Sequence, residues 1–304
     1  MIFKLRRLVI LMLCMAISSV MASEKTERDD KGLDWTLQAG AVHQFEASLD
    51  SGGDMSASRF FASGGVGKRF GRWRLGATLG YGETDYSFTG STGFGGLDPW
   101  DRVRNLRVSV PIQYFANDSW TLYAIPSLRF NAESGASLDD GKSGGVLAGA
   151  AYRVNDSLTI GPGFGVFNEI EDDTSFFPIL IIDWKISDTL SLETGRGFAA
   201  TRGPGLQLRW NYSQNWQFLL GGRYEKTRFR LDDKGPTSGG VGQDKSVPLF
   251  AQAEYRIDKD VSFNLIGGAE TAASLRLEGA AGQLISSSDL STAPFIGATF
   301  SARF

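Results

Sequence analysis

From residue 33 to the last residue, apolar side chains return at every second position in run after run. A chain written that way folds as strands with one apolar and one polar face. The final run is the cleanest: Ile296, Ala298, Phe300, Ala302 and Phe304 share one parity, and Gly297, Thr299, Ser301 and Arg303 share the other. Trp35, Leu37, Ala39 and Ala41 open the series. Upward from Trp73 the apolar parity holds Leu75, Ala77, Leu79 and Tyr81, and upward from Trp120 it holds Leu122, Ala124, Pro126, Leu128 and Phe130. Back from Tyr114 it holds Ile112, Val110, Val108 and Leu106, and back from Trp184 it holds Ile182, Leu180, Pro178 and Phe176. Several stripes carry a ring at each end and aliphatics between, the order that a bilayer rewards. The mean hydropathy of -0.14 agrees, because alternation dilutes apolar residues with polar ones.

A loose internal repeat organises the chain: an aromatic, a two- or three-residue polar turn, then a large apolar residue that restarts the alternation. It falls around residues 117–119, 155–157, 187–189, 213–215 and 258–260, with a tighter version at 70–73. The other connections, at 89–101, 133–143, 169–174, 231–246 and 278–291, are longer and more polar, as is the Gly/Asp/Ser stretch from Leu49 onward. Six short turns joining pairs, plus a strand at each terminus, predict about 14 strands, with 12 as the alternative. The pair between Leu190 and Trp210 is the weak point, since Thr194 and Arg196 interrupt its apolar face. Pro111, Pro126, Pro162 and Pro178 each remove a ladder donor, so bulges or local edges are expected there. A soluble sandwich shares the alternation with its apolar face turned inward. The aromatic-ended stripes and a polar face rich in Gly, Ser, Thr, Arg and Glu favour a sheet closed in lipid, where unpaired backbone groups find no water.

The first residues have the pattern of a secretory signal peptide: Lys4, Arg6 and Arg7, an apolar core from Leu8 to Val20, and Val20, Met21 and Ala22 as the cleavage site. The expected organisation is a leader at 1–22, a polar lead-in at 23–32 and a barrel at 33–304. Cleavage removes three positive and no negative charges, moving the formal net charge from -3 to -6, and takes away Cys14, the one cysteine. An exported chain without cysteine owes nothing to disulfides. No basic cluster in the exported part points to nucleic acid, and one histidine without cysteine leaves no ligand set for a metal or other cofactor.

The final strand, with Phe300 and Phe304, resembles the carboxy-terminal strand of Gram-negative outer-membrane β-barrels, which carries the insertion signal. The resemblance implies a transmembrane antiparallel up-and-down β-barrel in the cell outer membrane. It also implies outer-membrane lipid and the barrel-assembly machinery as partners. Porin-like and transporter-like barrels of this kind pass small polar solutes passively; a non-conducting structural or adhesive barrel is the alternative.

Parity places Arg74, Arg107, Arg129, Asp183, Glu193, Arg209, Arg223, Glu225, Glu254, Arg256 and Glu270 on the polar face, as candidates to line a pore or to pair into a brace. Inward glycines such as Gly76, Gly80, Gly82, Gly161, Gly163 and Gly165 are expected to leave space beside those charges. His43 is the only histidine. Outer-membrane phospholipases and lipid A deacylases set a serine near such a histidine on the same face. Phe45 occupies that position here, so a surface hydrolase ranks third and no catalytic residue is expected.

Overall fold

The alternating runs are strands, and the strands close on themselves. The computed structural model describes residues 32–194, 204–234 and 237–304. In chain order the strands are β1 (Asp34–Ser48), β2 (Asp54–Phe70), β3 (Trp73–Thr89), β4 (Arg102–Ser109, continuing as Ile112–Phe115), β5 (Trp120–Glu133), β6 (Lys142–Arg153) and β7 (Leu158–Glu169). They continue as β8 (Asp172–Lys185), β9 (Leu190–Thr194), β10 (Gly205–Asn211), β11 (Trp216–Arg223, continuing as Glu225–Arg230), β12 (Val241–Arg256), β13 (Val261–Glu278) and β14 (Leu284–Asp289, continuing as Ala293–Arg303). Each pairs antiparallel with the next, and β14 returns to β1 from the rung Thr36–Arg303 to the rung Gln44–Phe295. Trp35 and Phe304 exchange two backbone hydrogen bonds of 2.9 Å and complete the ring. The result is a closed barrel of 14 antiparallel strands. The leader and almost all of the lead-in lie outside the described residues, as does Arg196.

One device makes five of the short turns. The Asn117 carboxamide oxygen accepts from the Ser119 and Trp120 amides, and Asn155 does the same for Ser157 and Leu158. Asp258 accepts from Asp260 and Val261, Ser187 from Thr189 and Leu190, and Ser213 from Trp216. A side-chain oxygen that caps the amides two and three residues on substitutes for a backbone turn, which is why the repeat begins with Asn, Asp or Ser. The sixth turn relies on Gly71, whose φ of 56° few other residues tolerate. Ring pairs stand above these turns: Trp73 with Tyr114 at 4.6 Å, Trp120 with Tyr152 at 4.8 Å and Trp216 with Tyr255 at 5.0 Å. They form one aromatic girdle, and Phe45, Phe60, Tyr81 and Phe176 are exposed on the wall toward the other end. Short turns and both termini mark the periplasmic end.

The longer connections differ from their expected extents. The β7–β8 connection is only Ile170 and Glu171, with Glu171 at φ 48°; β12 already runs from Val241, and β2 starts five residues after Leu49. The prolines also act more mildly than expected. Pro111 splits β4, and the ladder to β6 lapses beside Pro162, but Pro126 and Pro178 keep continuous register. Losing one donor costs one ladder bond without adding a residue, so register survives. The register shifts lie instead at Gln44/Ala47, Lys245/Val247, Phe167/Glu169 and Leu277/Glu278, near the outer end.

Candidate functional site

The outward parity is apolar and exposed, so any solute path lies inside the barrel, and the interior is occupied. β11 leaves the wall after its last rung with β10, Gly205–Arg223. Its second segment pairs with β12, and its tip meets β5 through a parallel rung, Arg230–Ala132, and a 3.1 Å bond from the Asn131 carboxamide to the Arg228 carbonyl. β5 lies six strands from β11 in a ring of 14, so the β11–β12 hairpin crosses the lumen near its outer end.

Large side chains on both faces of that hairpin explain why it can sit in the middle of a barrel. Phe229 is fully buried on one face, 5.2 Å from Trp100 and 6.2 Å from Tyr86. Met55, Phe94, Leu275 and Leu277 belong to the same apolar cluster, which is drawn from seven strands and the helical turn α1 (Gly93–Leu97). Burying each such side chain contributes about 1.5–3 kcal/mol. On the opposite face Arg228 reaches Glu278 at 2.6 Å, Gln243 at 3.2 Å and the Ile170 carbonyl at 3.0 Å. Arg230 reaches Glu171 at 2.7 Å, and Lys226 lies 3.7 Å from Glu169 and 3.6 Å from Asp172. Asp172 belongs to the exposed loop end, above the first membrane-facing ring of its strand, Phe176. Burial alone would raise its pKa; the Asp173 amide and the charges of Arg228 and Lys226 outweigh that and hold it below the ordinary aspartate range.

Beneath this cap lies a layer of paired charges. Arg59 donates to Gln44 at 2.9 Å and Glu270 at 3.3 Å, and stands 3.5 Å from Asp244, which also accepts from the Tyr86 hydroxyl at 2.8 Å. Arg209 bridges Glu193 at 3.2 Å and Gln217 at 2.7 Å. Arg223 pairs with Glu225, and Arg256 lies 3.5 Å from Glu254. Arg74 pairs with Asp34 at 2.7 Å beside a cavity of about 60 Å³ at the periplasmic mouth. Arg107 and Asp183 are partnered as well. Arg129 differs: its guanidinium lies 4.1 Å from the centre of the Phe167 ring, its Nε is buried without a hydrogen-bond partner, and no carboxylate among the described residues is within ion-pair distance. The rung opposite it on β4 is Arg107.

Four of the six inward glycines do not leave the expected free space, whereas Gly80 has room beside Ser63 and Gly82 has a little beside the Phe60 carbonyl. Gly165 lies under the Phe177 ring, Gly163 under the Tyr123 hydroxyl, and Gly76 and Gly161 against backbone carbonyls of neighbouring strands. The same fit recurs at Gly268 under Phe295 and Gly221 under Phe250. Gly165, Gly221 and Gly268 make room for an aromatic ring against the sheet, and Gly76, Gly161 and Gly163 for close approach of a carbonyl or hydroxyl. Periodicity also missed Arg59, Asp244, Arg228 and Glu278. Arg228, Asp244 and Glu278 stand where both faces of their strands are covered, Arg59 stands on a strand whose two parities both carry aromatic and small residues, and only the contacts across the lumen pair them. His43 faces outward with Phe45 5.0 Å away, and Ser58 on the neighbouring strand stands opposite it. A sequence-local search cannot find a partner supplied by another strand.

Residues 10–177, more than half of the chain, match the outer membrane protein beta-barrel domain family. The chain belongs to this family. Its setting is therefore the outer membrane, with lipid against the exposed stripe. No curated protein gives a significant match. Among solved structures, the toluene transporter TodX of P. putida is 12% identical, with 90% of each chain covered and a TM-score of 0.46. The toluene transporter TbuX of Ralstonia pickettii has 12% identity, 90% of each chain covered and a TM-score of 0.45. A Pseudomonas aeruginosa FadL homologue has 11% identity, 89% of this chain and 88% of that one covered, and a TM-score of 0.43. Likeness at this level carries no inference about cargo.

Proposed function

We propose that the barrel is a passive channel for small polar solutes, with a preference for anions, and that the β11–β12 hairpin closes its outer end in the conformation described. The observation that carries this reading is the Arg107–Arg129 rung. Like charges directly opposite on a ladder are destabilising, and an interior guanidinium without a carboxylate costs more still. The interior arginines around it have acids. A rung that keeps two positive charges, one of them reached only at longer range by Glu169, which already pairs with Lys226, meets a mobile anion instead. The hairpin supports the gating half of the proposal, because polar contacts rather than apolar packing hold its Arg228 face, and two of the acids in them, Glu171 and Asp172, are exposed to water.

The test is single-channel recording in a planar bilayer. Wild-type barrel should give rare, small, anion-preferring steps, and replacing Arg107 and Arg129 together with Ala should reverse the preference with the unboiled gel mobility unchanged. The apolar cluster around Phe229 favours a second reading, a permanently filled structural or adhesive barrel. Silent bilayers from folded protein, with and without a loosened hairpin, would establish that reading and end the first.

A further inference from the structure

The lumen is not the only place where chemistry gathers. On the lipid-facing side of the wall, His43 of β1 and Ser58 of β2 are ladder partners, and the imidazole Nδ1 lies 2.9 Å from the serine hydroxyl oxygen. Both residues are exposed. An ionisable side chain turned toward lipid is costly and rare on a barrel wall, and here it is bonded to a hydroxyl. A hydroxyl hydrogen-bonded to an imidazole is the pairing that activates a serine nucleophile.

The surroundings fit a lipid substrate. A groove of about 530 Å³ crosses the wall from β13 to β3, within the usual size of small-molecule sites. Ala41 and Ala298 keep it shallow in the middle, Phe60, Leu265 and Ile296 form its apolar sides, and His43 and Ser58 lie in it. Ser58 shares a rung with Asp85 of β3, twelve residues above Trp73 of the periplasmic girdle. At about 3.4 Å per residue and the usual barrel tilt, that is roughly 30 Å up the wall, at the upper edge of a ~25 Å apolar band. The ester bonds of outer-leaflet lipids lie at that depth, below their headgroups and above their chains. Asp85 pairs with Arg102 at 2.5 Å, so the polar rim begins one strand away.

We propose that His43 and Ser58 form an acyl-ester hydrolysis site on the outer wall, acting on fatty-acid esters of outer-leaflet lipid. The Ser58 oxygen attacks the ester carbonyl carbon while its proton passes to His43. The carbon–oxygen bond to the lipid alcohol then breaks, and His43 returns the proton to the departing oxygen. Water attacks the acyl-serine by the same route, releasing the fatty acid and restoring the hydroxyl. No metal or redox partner enters the balance. The site faces away from the lumen and stands or falls independently of the channel reading.

The full barrel in detergent is treated with a fluorophosphonate, which labels activated serines, and is separately mixed with micelles of phospholipid or of lipopolysaccharide while released fatty acid is measured. The expected result is an adduct on Ser58 by peptide mass spectrometry, and fatty-acid release that falls at least ~100-fold in Ser58→Ala and in His43→Asn. Unboiled gel mobility shows that each variant is folded, and the wild-type adduct needs no variant at all. Release from phospholipid alone or from lipopolysaccharide alone identifies the source of the ester, and either supports the site. A folded wild-type barrel with no adduct on Ser58 and no fatty acid from either lipid overturns the proposal.

Discussion

The two ends of this barrel are built on different principles. At the periplasmic end five turns repeat one local device, a side-chain oxygen capping nearby amides, under a girdle of ring pairs that face lipid. At the outer end no single device is common to the connections among the described residues, and an apolar cluster with buried ion pairs fills the lumen from residues as distant in sequence as Met55, Phe229 and Leu277. The first end is specified within a few residues, and the second only by contacts made after the barrel has closed. The periplasmic end should therefore tolerate substitution one turn at a time, whereas the outer end should respond as a unit.

The largest effect expected from this contrast is at Phe229. Replacing it with Ala leaves a cavity among Trp100, Tyr86 and Leu275, and should lower stability by about 3–5 kcal/mol while raising conductance. Chemical unfolding in detergent, followed by tryptophan fluorescence, checks the first, and bilayer recording the second. An equal loss from Trp120→Ala, at the lipid-facing girdle, would break the comparison. Next is Glu278→Gln, which keeps the shape beside Arg228 but removes the charge that both Arg228 and Arg276 use. A loss of about 2 kcal/mol is expected, with more frequent channel openings. Asn155→Ala removes three short bonds within one turn and should cost about 1 kcal/mol without altering conductance. The smallest effect concerns acid. Because the Asp172 pKa is depressed on folding, its contribution is present above the unfolded value and lost as pH falls through the folded one. The hairpin contacts to Lys226 and Arg228 should persist at pH 5 and loosen below about pH 4, seen as more open time in acid recordings.

The same contrast explains what the sequence revealed. Strand number, the lipid-facing stripe and the turn positions follow from alternation and local capping, so Trp73, Trp120 and Asn155 announce their roles without a partner. Parity also placed Arg107, Arg129, Glu193 and Glu270 on the interior face, but could not say which acid meets which base. That depends on how strands far apart in sequence meet across the lumen. Arg59 and Ser58 were hidden for a related reason: β2 mixes Ser, Gly and Phe on both parities and its beginning resembles the loop before it. The crossing of the hairpin left only a faint signal, the Lys226 to Arg230 run in which a phenylalanine stands among charges, and that run is intelligible only when both of its faces are covered.

The central claim is that a hairpin lying across the lumen closes this barrel. Cysteines placed at Ala132 and Arg230, which face each other on the parallel rung, would lock that hairpin to β5 when oxidised, since ladder partners are close enough for a disulfide. Recorded in one bilayer, the oxidised protein should be silent and the same molecules after reduction should show anion-preferring steps. Equal currents in both states, from barrels of unchanged gel mobility, would contradict the account.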